Sequence, residues 1–427
     1  MPASDRRTFL AQVAAAATAA VPLGSPAAGV DPPASRAAAP VRKPRRLAMV
    51  NSIYRFRSHA YHIGRRFLDG YDREGFHHQP EFRIARVFNH QSPADDLTSV
   101  DARRYGFEPV DTVAKALGGA QLDVDGVLLV VEHGDYPTNE FGQVLYPRYE
   151  LFQEIVAVFE QAGRSVPVFV DKHLSYDAAR AHEMVAAARR LKFGLMAGSS
   201  LPVTWRRPEL EPPLDVPLKE GLVAFGFDRG PAEIYFFHAL ETLQCLMERR
   251  AGGETGIRRV AGLEGDAVWR AADEGRWSWD LLDAALGRNP SLNPGDVRAN
   301  VRHPQAILVE YADGTRGAAL NLIDQVSEFS FAGRIEGRDD IASTWFVLPP
   351  PPGAKFFDAL CWNIEKFLAA GKPPYPIERT LLTSSALDTA MRSMKQGGAA
   401  LESDRLDVRY RAPADSGFLR GRYTRDG

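Results

Sequence analysis

Val127-Leu128-Leu129-Val130-Val131 and, further on, Val166-Pro167-Val168-Phe169-Val170 are the two stretches that decide the fold class. An unbroken apolar run, without the polar alternation of a half-exposed strand, fits a parallel strand buried on both faces. Between them Leu151, Phe152, Ile155, Val156, Val158 and Phe159 recur at helical spacing and stop at Gly163, a residue that readily ends a helix. Downstream, Asp177 beside Tyr176 starts a helix carrying Met184, Val185 and Leu191, and Gly194-Leu195-Met196-Ala197-Gly198 makes the next strand. Upstream, Arg46-Leu47-Ala48-Met49-Val50 is the first strand. Phe82-Arg83-Ile84-Ala85-Arg86-Val87-Phe88 alternates, as a strand near a sheet edge does. Strands alternating with helices in this way predict right-handed βαβ units and a Rossmann-like, doubly wound parallel sheet.

The second half differs in kind. Ala306-Ile307-Leu308-Val309-Glu310-Tyr311, the Asp313-Gly314 turn and Gly317-Ala318-Ala319-Leu320-Asn321-Leu322 read as an antiparallel hairpin. Phe329-Ser330-Phe331-Ala332-Gly333 and Ser343-Thr344-Trp345-Phe346-Val347-Leu348 add strands, and Phe356, Leu360, Ile364, Phe367 and Leu368 form a helical stripe ending at Gly371. This predicts an α+β domain with an open, mostly antiparallel sheet. The expected organisation is a signal peptide over 1–29, a linker over 30–46, the Rossmann-like domain over 47–200, the α+β domain over 201–396 and a tail over 397–427. There is no internal repeat.

Arg6-Arg7 precedes the short run Val13-Ala14-Ala15-Ala16-Ala17-Thr18-Ala19-Ala20-Val21, too short and alanine-rich to span a bilayer. With small residues at Ala27-Ala28-Gly29 it reads as a cleavable twin-arginine (Tat) signal, so the expected location is periplasmic or extracellular, without stable membrane insertion. Lys and Arg number 52 against 54 Asp and Glu, for a net charge of −2. No basic stripe is interleaved with aromatics, which argues against nucleic acid as a partner. Cys245 and Cys361, the only two cysteines, each sit in an apolar helical pattern and are expected to be buried free thiols.

Ligands of an open α/β sheet sit beyond the carboxyl ends of its strands. Three clusters lie there: Glu132, His133 and Asp135, with Tyr136, Asn139 and Glu140; then Asp171, Lys172 and His173; then Ser199 and Ser200. Loop solvation and helix capping are the plainer account of each cluster; convergence at one place is the functional one.

In order along the chain these stretches resemble the Gfo/Idh/MocA oxidoreductases. The run from Val127 and the stretch Val168-Phe169-Val170-Asp171-Lys172-His173 resemble the family's buried strand ending in Glu-Lys-Pro, with Lys172 at the lysine position and Asp171 and His173 replacing the other two. Arg104-Tyr105-Gly106-Phe107-Glu108-Pro109, Leu195-Met196-Ala197-Gly198-Ser199-Ser200, His238-Ala239-Leu240-Glu241 and Pro373-Pro374-Tyr375-Pro376 resemble later family segments. The resemblance implies Lys172 and His238 as catalytic residues, NAD or NADP as cofactor, and a homo-oligomer formed through the C-terminal sheet. There are departures. Asn51-Ser52-Ile53-Tyr54-Arg55-Phe56-Arg57-Ser58-His59 stands where the family has a glycine-rich turn, and no glycine appears before Gly64. The second strand ends at Asn89 where an acid would hold a ribose, and Ile234 stands where the family has an Asp. Asn51, Ser52, Arg55, Arg57 and Asn89 are then the expected cofactor contacts, with Arg55, Arg57 and His59 holding an anion by charge.

Three functions follow, in this order. The first is an oxidoreductase acting with NAD(P) on a sugar, polyol or related small carbohydrate. The second is a lyase, hydrolase or epimerase on the same fold, cofactor-independent or metal-dependent; no metal site is assigned, but His133, Asp135, His173 and His238 are the ligands if there is one. The third is a non-catalytic carbohydrate-binding relative.

Overall fold

A computed structural model describes residues 44–228, 230–350 and 353–421; Arg6, Arg7 and the apolar run after them lie outside the described residues. The first sheet grows from alternation on its central strands. On β1 (Arg45–Asn51), Leu47 and Met49 join one core cluster while Ala48 and Val50 join another, so each face of the strand is buried in its own core. Helix α1 (His59–Asp69), the hairpin β2 (Tyr71–Arg73) and β3 (Phe76–His78), and β4 (Phe82–Asn89) follow. Then come α2 (Thr98–Tyr105), β5 (Glu108–Val110), α3 (Val113–Leu117), β6 (Gly126–Val130), α4 (Arg148–Ala162), β7 (Val168–Asp171), α5 (Ala178–Arg190) and β8 (Leu195–Gly198). The strands β5-β4-β1-β6-β7-β8 are all parallel; counted within the sheet the order is 3-2-1-4-5-6, reversing direction between β1 and β6. That reversal opens the crevice in which such sheets bind ligands.

The expected helix ends hold. Gly163 closes α4 in the left-handed conformation, and the Asp177 side chain accepts from Arg180 N to start α5. β4 lies one strand in from the edge.

The second half forms the expected mixed sheet. β9 (Arg206–Arg207), β10 (Leu218–Phe225), α6 (Ala232–Met247), β11 (Ile257–Glu264), α7 (Asp266–Asp273), α8 (Trp279–Leu286), α9 (Val297–Asn300), β12 (Gln305–Tyr311), β13 (Arg316–Asn321), β14 (Phe329–Ile335) and β15 (Ala342–Phe346) follow in turn. The sheet order is β11-β12-β13-β10-β14-β15-β9, antiparallel except where β10 meets β13. The hairpin read from the sequence is β12–β13. The central strand β10 was not legible, because a short apolar run bounded by glycine suits a strand and a helix equally.

Two last helices return to the first sheet. α10 (Phe356–Ala370) sets Phe357, Leu360, Ile364, Phe367 and Leu368 against Leu47, Met49 and Leu128, in the same core as α1. Its apolar stripe therefore covers the parallel sheet, at roughly 1.5–3 kcal/mol for each large side chain buried. α11 (Ile377–Lys395) is pinned at the ends of β7 and β8, where Ser384 Oγ accepts from Leu174 N at 3.1 Å and Thr380 Oγ1 donates to Ala197 O at 2.8 Å. Both cysteines are buried free thiols, as expected. Among the described residues no helix is long and apolar enough to cross a membrane.

Candidate active site

The strand ends carry backbone strain. His133, after β6, has φ 68° and Lys172, after β7, has φ 64°. A left-handed residue with a side chain costs on the order of 1–3 kcal/mol and persists where the surroundings fix it. Here a bond from Lys172 N to Gly198 O at 3.2 Å holds the second turn against β8.

These turns deliver a buried ionic chain. Lys172 Nζ donates to Glu132 Oε1 at 2.8 Å, and Arg148 Nη2 donates to Glu132 Oε2 at 3.2 Å and to Val131 O at 2.8 Å. Burial opposes ionisation of Glu132, but Lys172 and Arg148 outweigh it and hold the carboxyl below its ordinary value. Arg148 Nη1 meets His173 Nε2 at 3.0 Å, so His173 must be a neutral acceptor; burial, then Arg148, push its pKa well down.

A second pair was not foreseen. His59, expected in an anion-holding turn, opens α1 and places Nδ1 2.7 Å from Asp171 Oδ2. Burial first, then Lys172 and His133, depress the His59 pKa well below its ordinary value, while burial lifts Asp171 to about 6. At neutral pH the pair is a neutral imidazole donating Nδ1–H to a carboxylate, which leaves Nε2 as an acceptor. Asp171 and Glu132 then balance Lys172 and Arg148 in charge. The His133 ring lies 5.4 Å from that of His59, and Phe357 of α10 packs edge-on at 5.0 Å.

Helix α6 closes the other side. Lys172 and His59 both bias the charge of His238, whose pKa is driven well down, by burial first. Two acids flank it. Glu233 accepts from Val144 N at 2.6 Å, Glu241 accepts from Ser199 N at 2.8 Å, and burial raises each to about 7. Glu233 is a residue that sequence reasoning missed; the signal was an acid immediately before Ile234, where the family has an Asp.

Eleven buried side-chain polar atoms among the described residues bond no other protein atom, and eight belong to this cluster: Asn51 Oδ1, His133 Nδ1, Arg148 Nε, Asp171 Oδ1, His173 Nδ1, Glu233 Oε2, His238 Nδ1 and Glu241 Oε1. Such atoms cost on the order of 1–3 kcal/mol each when left unpaired, and they gather here at the strand ends.

Other expected residues fall elsewhere. Asp135 is exposed and joined to Gln91 only through its backbone, so it leaves the cluster. The conditional metal set of His133, Asp135, His173 and His238 does not assemble: among the described residues no three His, Cys, Asp or Glu form a ligand group, and His173 is turned to Arg148. Ser199 serves through its amide, and the carbonyl of Ser200 caps the turn to Thr204.

The residues expected to hold a dinucleotide do not fit one. Asn89 gives Nδ2 to Asp96 and Thr98 and takes Asn51 Nδ2 on its oxygen, so both of its N–H groups are committed, and its amide supplies no charge for a ribose. Arg55 faces Asp95 at 3.7 Å, and exposed Arg57 lies over the Phe56 ring. Amides at both ends of the turn are used, Ser52 N by Val130 O, and Arg55 N and Tyr61 N by Ser58 Oγ, and no glycine opens the backbone to a pyrophosphate. Ser52 Oγ donates to Glu132 O at 2.8 Å and so supports the site from behind. Gly64, the first glycine, is a packing residue in α1, where a Cβ would come 3.2 Å from the Met49 side chain.

No protein-family profile matches the chain, and no curated protein does. Solved structures do. GenD2 from gentamicin A biosynthesis, in complex with NAD, superposes with TM-score 0.55 at 15% identity over 88% of this chain and 100% of its own. An oxidoreductase from Agrobacterium radiobacter in complex with NAD+, L-tartaric acid and magnesium gives 0.52 at 11% identity, over 84% and 98%. Myo-inositol 2-dehydrogenase from Lactobacillus plantarum gives 0.51 at 11% identity, over 84% and 99%. The chain therefore has the fold of these dehydrogenases, the two-sheet plan that its resemblance to the Gfo/Idh/MocA oxidoreductases implies.

Proposed function

We propose that this chain is an enzyme, on the fold of sugar and polyol oxidoreductases, that binds one small polyhydroxylated substrate at the strand ends and moves its protons. The observation that carries the proposal is the gathering of eight unpartnered polar atoms around Lys172. Carboxyl and amide oxygens of Asn51, Asp171, Glu233 and Glu241 accept, Arg148 Nε and His173 Nδ1 donate, and the imidazoles of His133 and His238 can do either. A hydroxyl group donates and accepts at once, so a sugar or polyol satisfies such a mixed lining as no simple ion does. The charges already in the site balance, so the substrate need carry none. Lys172 is paired with Glu132 through one of its three N–H groups, and the others can hold a substrate oxygen as charge develops on it. His238, kept neutral by burial, can take or return the hydroxyl proton.

A second reading, NAD(P)-dependent oxidation of such a hydroxyl, is favoured by the fold shared with NAD complexes. The turn after β1 does not fit that group, so no step is drawn through it. Titrating the purified protein with myo-inositol, glucose and glucuronate, followed by thermal shift and calorimetry, tests the proposal. Stabilisation by at least one, abolished in His238→Ala, is expected; silence to all three would sink it. We further propose export by the Tat route. Changing Arg6→Lys and Arg7→Lys together should leave precursor in the cytoplasm, and unchanged export would refute it.

A further inference from the structure

We infer that His59 is the general base of a redox-neutral reaction: the site enolises a hydroxy-carbonyl substrate, such as a ketose or a uronic acid, without any dinucleotide. The inference rests on the substrate class proposed above and goes beyond it by naming the bond that breaks.

Three observations carry it. The His59–Asp171 contact at 2.7 Å is that of an imidazole oriented by a carboxylate, with Nδ1 occupied and no partner on Nε2 among the described residues. The ring stays reachable, with 18% of the side chain exposed against 1% for Asp171. The turn just before it carries no glycine, Ser58 Oγ occupies Arg55 N and Tyr61 N, and Asn89 Nδ2 is committed to Asp96 and Thr98, so the close backbone approach that a dinucleotide's pyrophosphate needs is not built there.

The step balances without an oxidant. His59 Nε2 takes the proton from the carbon next to the carbonyl. The C–H electron pair becomes the new C=C bond, and the carbonyl π pair moves to oxygen, where the Lys172 ammonium meets the enolate charge. Protonation of either carbon, by the imidazolium of His59 or by a carboxyl of α6, restores a carbonyl compound at the original oxidation state. Glu241 and Glu233, raised to about 7 by burial, carry a proton for about half the time at neutral pH, as such a donor must. Returning the proton to the other face of the same carbon gives an epimer; for an isomer the hydroxyl on that carbon passes its proton to the enolate oxygen, and the proton from His59 then goes to the former carbonyl carbon. Asp171 is a positioning residue, acting through His59.

The test uses the full mature chain in D2O, free of NAD(P), with fructose, glucuronate and dihydroxyacetone as probes and proton NMR as readout. Wild type should accelerate loss of the C–H signal next to the carbonyl for at least one probe. His59→Gln should cut that rate by about 100-fold or more, with the sugar-induced thermal shift retained. Asp171→Asn should lower kcat with little change in KM and remove the acidic limb expected near pH 6 in wild type. The titratable and charged groups around His59 that set this limb are His62 of α1, Glu132 and His133 after β6, Asp171 at the end of β7 and Lys172 after it, and His238 of α6; Arg57 bears on it through His62 and Arg148 through Asp171. Binding of a probe without exchange, or full exchange in His59→Gln, would overturn the inference and leave the substrate class standing. Loss of all binding would overturn both. Tight uptake of NAD+ or NADP+ by wild type, with a rise at 340 nm on adding myo-inositol, would also overturn it.

Discussion

The turn between β1 and α1 and the strand ends of β6, β7 and β8 lie side by side and are built on opposite principles. From Ser52 to Ser58 the turn's serines, Tyr54 and Arg55 bond within the fold: Ser58 caps α1, Ser52 Oγ donates to Glu132 O, Arg55 faces Asp95, and Tyr54 OH donates to Asp101 at 2.8 Å. At the strand ends, buried donors and acceptors go unpaired. A self-satisfied turn stabilises the fold and asks for nothing more. A cluster of unpaired groups costs stability, and a sequence retains it where a ligand makes up the difference. In this chain the turn after β1 is tied into the fold, and the unpaired groups gather over β6, β7 and β8.

The sharpest way to break that comparison is by substitution on each side. Lys172→Met and His238→Ala should each reduce turnover by about 100-fold or more, and the double variant should lose much less than the product, since the two act on one proton. Arg55→Ala and Phe56→Ala, in the turn, should stay within about threefold of wild type, as surface changes away from a site do. Steady-state rates normalised to folded protein decide it. Turn variants as damaging as Lys172→Met would return the turn to the active site, and full activity in both strand-end variants would remove Lys172 and His238 from it.

A smaller effect follows from the acids of α6. Glu241 has a folded pKa near 7, against an ordinary value of 4.5, because burial penalises its charge. Between those values the folded state binds the proton more tightly than the unfolded one, so this group's contribution to stability is full below about pH 4.5 and is lost as pH rises towards 7. Glu241→Gln removes the dependence. Relative to wild type it should gain stability as pH climbs through that window, by at most about 3 kcal/mol. Denaturant melts of both proteins at pH 5 and pH 8 measure the difference, and a constant gap would show that Glu241 titrates normally.

Legibility in the sequence followed the same divide. The strands leading to Asp171, Lys172, Ser199 and Glu132 were marked because each short apolar run alternates with a stripe of helical spacing, the order of a βαβ sheet. Periodicity also marked α10, but not which sheet α10 covers, since a stripe such as Phe357, Leu360 and Ile364 is silent about its partner. His59 was read as part of a basic turn. Only the register that brings α1 beside β7 turns it towards Asp171, more than a hundred residues away in the chain. Asp135 erred the other way: it shares a segment with His133, but Gly134 intervenes at φ 115° and the chain turns out to solvent. Glu233 was hidden because the resemblance pointed to the neighbouring position. Helix phase, which decides which of two adjacent residues faces the cleft, belongs to tertiary packing.

The smallest expected effect tests whether the two regions are joined through α10. Cys361 is fully buried in that helix, one turn beyond Phe357, whose ring lies against both His59 and His62. Its thiol is raised by burial and its sulfur lies 4.0 Å from Ile63 O, so it acts as a small apolar filler between α10 and α1. Cys361→Ala removes one atom from a packed core and should cost on the order of 1 kcal/mol, read as a lower denaturation midpoint with an unchanged slope. Turnover per folded molecule should not move. Phe357 is held by its own contacts, and Arg66, donating to Asp358 at 2.5 Å and to Ala354 O at 2.9 Å, fixes the start of α10 independently of the cysteine. A fall in turnover at constant fold would mean that His59 owes its position to the seating of α10, and the boundary between structural turn and chemical site would move to include that helix.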